Sequence, residues 1–120
     1  MTILDRTFGW LLVVGGLLHA GGSWRLFHND RSQLLWALSG SLAALLVAAL
    51  NLLRVGRPND RPLAWVSFCA SLAWFAVAMG FGAVIGNFAD PRVVIHAVNA
   101  AALAGLSLRT LTRARRGLAA

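Results

Sequence analysis

The chain has 120 residues, with one cysteine, no lysine and four acidic residues, and each scarcity removes a class of protein. Cys69 can form no intramolecular disulfide and has no cysteine partner for a metal site, so packing is its expected role. The acids, Asp5, Asp30, Asp60 and Asp90, all fall between apolar runs. No carboxylate inside a run can orient a base behind a nucleophile, and no phosphate loop, His/Glu metal helix or cysteine pair is present. The expectation is a protein that is not an enzyme, with no catalytic residues.

What fills the chain instead is apolar. Hydrophobic residues make up 58%, charged residues only 12%, and the mean hydropathy is +0.69. Four runs, at about 8–27, 34–53, 63–88 and 93–111, contain no Asp, Glu or Lys. About 20 apolar residues at 1.5 Å rise each cross a hydrocarbon core of roughly 30 Å. Runs apolar on all sides do not suit the half-wet surface of a soluble domain. The reading is a single domain: an all-α, integral membrane four-helix transmembrane bundle with short turns. The first run resembles a signal peptide, but it continues through Trp24 to Phe27 and further spans follow, which favours a retained helix.

Charge sets the expected orientation. With four crossings, Arg6, Arg54, Arg57, Arg61, Arg109, Arg113, Arg115 and Arg116 share one side, against Arg25, Arg31 and Arg92 on the other. The positive-inside bias then puts both termini in the cytoplasm. The Arg113–Arg116 cluster would lie on anionic headgroups, so the lipid bilayer, not nucleic acid, is the expected partner of this basic chain. Many arginines with no lysine, among abundant alanine and glycine, are compatible with a GC-rich bacterial genome and hence an inner membrane.

Helix starts are marked by the four acids, since a carboxylate there accepts bonds from free amides and faces the positive end of the helix dipole. Asp30 with Gln33 suggests a capping box, and Asp90-Pro91 puts proline where its missing N–H costs nothing. Trp10 and Trp65 mark one interface, Trp24 and Trp36 the other. Trp74 lies near mid-span, where its N–H needs an acceptor inside the bundle. Asp5-Arg6-Thr-Phe-Gly-Trp10 matches Asp60-Arg61-Pro-Leu-Ala-Trp65, and Asp30-Arg-Ser matches Asp90-Pro-Arg. Two hairpins about a pseudo-two-fold would produce this, as would convergent helix-start signals. The alignment sets His19 opposite Trp74 and His96 opposite Trp36.

His19 and His96 are the candidate site. They lie roughly 10 Å and 6–7 Å from the same surface, at 1.5 Å per residue. An ionisable group at membrane depth is a functional candidate by default. Three roles compete. The imidazoles are structural, bonded to Ser23 and to Asn99 or a carbonyl; or they are axial ligands of a b-type haem, with Gly15, Gly16, Gly21 and Gly22 giving room for the macrocycle; or they line a pocket for a lipid, quinone or small solute. Two histidines without Cys or carboxylate fill only half a zinc shell, so no metal site is expected.

Small residues suggest helix contacts: Gly40, Ala44 and Ala48 with Asn51 on the second run, and a GxxxG at Gly82 and Gly86 on the third. Ser39, Ser41, Ser67, Ser71 and Ser107 can each bond to their own helix. The leading expectation is a small non-enzymatic inner-membrane protein docking through its helices to other membrane subunits or as a homo-oligomer. The alternatives are a haem or ligand binder using His19 and His96, or a minimal homodimeric solute transporter. The intramembrane glutamate of small multidrug transporters is missing from the first run.

Overall fold

The computed structural model describes residues 2–117, with side chains described for residues 3–112. Four antiparallel helices fill it: α1 (Thr2–Phe27), α2 (Arg31–Gly56), α3 (Arg61–Val84) and α4 (Pro91–Gly117). All four are long and apolar enough to cross a membrane. Each starts before its apolar run in a polar flank, and only α3 ends short of it. That helix stops at Val84 instead of Phe88. Gly86 adopts a φ of 66°, the Asn87 amide bonds back to the Gly82 carbonyl at 3.0 Å, and the Gly86 amide to that of Ala83 at 3.2 Å. This left-handed glycine cap ends the helix. Gly86 is thus no half of a helical GxxxG pair. Gly82 does permit a close approach, since a Cβ there would sit 2.9 Å from the Phe88 ring.

Three of the four acids cap as the sequence suggests. Asp30 accepts from the Gln33 amide at 3.0 Å, Asp60 from that of Leu63 at 2.9 Å, and Asp90 from that of Arg92 at 2.9 Å. The reciprocal half of the capping box is not made, because the Asp30 amide bonds to the Phe27 carbonyl. Asp5 is no cap at all. It lies inside α1, buried, and pairs with the buried guanidinium of Arg54 on α2. Arg54 is therefore not among the arginines offered to the surroundings. The side chains of Arg113, Arg115 and Arg116 lie outside the described residues.

The helices pack as two hairpins, α1 on α2 and α3 on α4, joined through α2–α3 and α1–α4 contacts. Gly9, Leu12, Gly16 and Ser23 are buried on α1, and at constant spacing so are Ala64, Ser67, Ser71 and Ala78 on α3. Ser41, Ala44, Val47, Ala48 and Asn51 on α2 correspond likewise to Ala97, Ala100, Leu103, Ala104 and Ser107 on α4. The buried faces thus repeat. His19 falls opposite Trp74, as the sequence alignment has it. His96 falls opposite Gly40 and not Trp36, because the longer α3–α4 turn displaces the α4 cap by one helical turn relative to its core face.

Leu12, Ala44, Val47, Ala48, Trp74, Ala100 and Leu103 form the central core. Small residues there let backbones approach, and the Gly40/Ala44/Ala48 stripe is used up by this packing: a Cβ on Gly16 of α1 would lie 3.5 Å from that of Ala44. The outside is apolar too, with Leu18, Leu26, Trp36 and Val84 all exposed. Cys69 also faces outward, so it does not pack as expected.

Candidate functional site

Two polar clusters interrupt the apolar interior. The first lies towards the end where α2 turns into α3. Asn51 donates to the Val47 carbonyl at 2.9 Å and to Ser71 Oγ at 3.0 Å, while its Oδ1 accepts from Ser107 Oγ at 3.1 Å. Ser71 in turn donates to the Ser67 carbonyl at 2.8 Å, and Ser67 to the Leu50 carbonyl at 3.2 Å. Ser67 and Ser107 therefore reach across to α2, whereas Ser39, Ser41 and Ser71 bond within their own helices. One turn further, Arg54 adds Thr110 Oγ1 at 2.8 Å to its Asp5 pair. This cluster ties α1, α2, α3 and α4 together, with Arg54 Nε buried and unbonded among the described residues. Such networks hold helices in register where burial alone gives little.

The second cluster lies towards the two hairpin turns and is built differently. α1 carries His19, whose Nδ1 lies 2.8 Å from Ser41 Oγ on α2. α4 carries His96, whose Nδ1 accepts from Trp74 Nε1 on α3 at 3.3 Å. The mid-helix tryptophan thus finds its acceptor inside the bundle. The two imidazole rings meet edge to face, with centroids 6.3 Å apart and planes at 90°. The sequence pairing of His19 with His96 is met in space. The expected supports are not: Ser23 makes no bond to His19, and Asn99 donates to the Ile95 carbonyl at 2.9 Å rather than to His96. The true partners, Ser41 and Trp74, lie on neighbouring helices, which no spacing along one helix reveals.

Beside the rings opens a cavity of about 240 Å³, walled by Trp36, Trp74, Phe81 and Val93 with both histidines on its lining. Gly40 borders it, where a Cβ would lie 4.0 Å from His19 Cε1, an ordinary contact. Arg92 stands at the rim, its guanidinium carbon 5.2 Å above the Phe81 ring. Its charge is spoken for: Nε donates to Asp90 Oδ1 at 2.9 Å and Nη2 to Oδ2 at 2.8 Å. Those bonds, with the backbone amide of Arg92, hold the Asp90 carboxyl down at about 2. The rim is a neutral ion pair rather than a free cation.

The four glycines expected to give room for a macrocycle divide into two packed and two open positions. Beside Gly15 sits the His96 ring, whose Cε1 would lie 3.2 Å from a Cβ there, and beside Gly16 sits Leu45. Gly21 and Gly22 face no other group. Among the described residues no three His, Cys, Asp or Glu side chains converge to hold a metal ion. The site offers two imidazoles, aromatic walls and an uncharged mouth, which suits binding of a small molecule by shape and hydrogen bonding.

No family model matches this chain, and neither a curated protein nor a solved structure shows significant similarity to it. The geometry itself therefore carries the functional argument.

Proposed function

We propose that this chain is a non-enzymatic integral membrane protein that binds a small amphiphile in the cavity beside His19 and His96. The four long apolar helices and the exposed leucines around them support insertion in a bilayer. The arginine bias supports a bacterial inner membrane with both termini cytoplasmic, which places the cavity in the outer half of the bilayer. One observation carries the binding reading. A cavity of about 240 Å³ lies against two imidazoles, each with one ring nitrogen that no group among the described residues bonds. An apolar cavity of about 150 Å³ already accepts benzene, so this one takes a ring with substituents. Docking to a larger assembly loses its support from the α2 stripe, because α1 covers that stripe.

The test is photolabelling in nanodiscs with a short alkyl-aromatic amphiphile bearing a diazirine. Label should concentrate on peptides containing Trp36, Phe81 and Val93, and Ala37→Trp, which fills the cavity, should remove it. Label spread evenly over outward residues such as Leu18 would refute the reading.

A further inference from the structure

The two imidazoles present one hydrogen-bond donor and one acceptor to the cavity, and their identities follow from what each ring already does. Trp74 Nε1 is a donor only, so the His96 Nδ1 that receives it carries no proton. Neutral His96 therefore bears its proton on Nε2. Protonating Nδ1 as well would break the Trp74 bond. Ser41 has a single hydroxyl proton, which bonds to the Ala37 carbonyl one turn back at 3.2 Å. With that proton assigned to the Ala37 carbonyl, its Oγ accepts from His19, whose Nδ1–H donates across 2.8 Å. Neutral His19 thus carries a bare Nε2. Among the described residues neither Nε2 has a protein partner. The two rings, 6.3 Å apart, offer opposite halves of one hydrogen-bonding pair.

We propose that the site is specific for a phenolic hydroxyl, which accepts from His96 Nε2–H and donates to His19 Nε2 while its ring lies among Trp36, Trp74 and Phe81. This rests on the amphiphile-binding reading and adds the chemistry of the head. A carboxylate or phosphate has no proton for His19, and its charge finds no free cation because Asp90 occupies Arg92. A ketone or ether has no proton for His19 either. A hydroxyl alone is both donor and acceptor on one atom, and aromatic walls favour a hydroxyl borne by a flat ring. A free phenol and the reduced head of a quinol share this chemistry.

The experiment compares 4-propylphenol, its methyl ether and 4-propylbenzoate, using the full chain in nanodiscs and correcting each for partition into empty discs. The phenol should bind at least about tenfold more tightly than the ether, the size expected when a buried acceptor loses its donor. The benzoate should not bind at neutral pH. Equal binding of phenol and ether would overturn the head-group assignment while leaving the cavity reading intact. Failure of all three to bind would overturn both. A short-tailed hydroquinone binding better than the phenol would assign the head to a quinol, and equal binding to any phenol. Because His19→Phe risks the fold, the wild-type imidazoles supply an independent test by nitrogen-15 NMR. His19 should be protonated on Nδ1 and His96 on Nε2; the same tautomer in both rings, or the reverse pair, would overturn the proposal.

Discussion

The two polar clusters of this bundle solve one physical problem in opposite ways. Around Asn51 every side-chain hydrogen-bonding group of that residue is used, and its bonds join α2, α3 and α4. Around His19 and His96 each ring spends one nitrogen on the protein and keeps the other free beside a cavity. Closed networks specify a packed structure, whereas spare hydrogen-bonding capacity beside empty space is what a ligand can use. The contrast falls between opposite ends of the bundle, each built from both hairpins. His19 and Trp74 occupy matching positions, yet one presents an imidazole to the cavity and the other steers His96 from behind.

The comparison breaks most visibly at Arg54. Arg54→Leu leaves Asp5 buried without its partner, and loss of one member of a buried pair typically costs about 3–5 kcal/mol. Denaturation in detergent should show that loss, with most of it restored in the double variant Asp5→Leu/Arg54→Leu. A double variant no better than the single one would mean that Asp5 is not the group left stranded. Ala44→Leu comes next, because its Cβ faces α1 within the same chain. Overpacking there should cost about 1–3 kcal/mol and lower the amount of folded protein. Normal yield with an altered native size would show instead that this face meets a partner.

Substitutions at the hairpin-end cluster should be gentler. Trp74→Phe removes the donor to His96 but keeps an aromatic wall, so about 0.5–1.5 kcal/mol is expected from melting curves. A cost as large as that of Arg54→Leu would make the imidazole cluster structural. The smallest effect concerns the rim. Asp90 has its carboxyl depressed to about 2, so its stabilising cap is fully present above its ordinary value near 3.8 and is lost as pH falls through 2. Protection against hydrogen exchange in the first turn of α4 should persist from pH 7 down to about pH 3, below the point at which an unshifted carboxyl protonates. Acceleration within that window would show that the Arg92 pair does not hold.

Much of the fold was legible because apolar length and acidic caps are local signals. Asp30, Asp60 and Asp90 marked three helix starts correctly, and four apolar runs became four helices. Asp5 defeated the same rule, since a carboxylate near a helix start reads alike whether it caps or pairs with Arg54 on another helix. Gly86 read as a helix-contact glycine because its spacing from Gly82 carries no information about φ. The histidine pair was legible from matching depths on α1 and α4. Its partners were not, because Ser41 and Trp74 depend on how the helices rotate about their axes. A polar residue with no bond available on its own helix was the one usable clue, and Trp74 supplied it.

The central claim is that, of the two polar clusters, the hairpin-end one is open to a ligand, and one titration tests it directly. Wild-type protein in nanodiscs, labelled with nitrogen-15, receives 4-propylphenol while the side-chain resonances of His19, His96 and Asn51 are followed together. The account predicts saturable shifts in both imidazoles with the Asn51 amide unmoved. Imidazoles that stay fixed at saturating phenol, or an Asn51 amide that moves as far as they do, would contradict it.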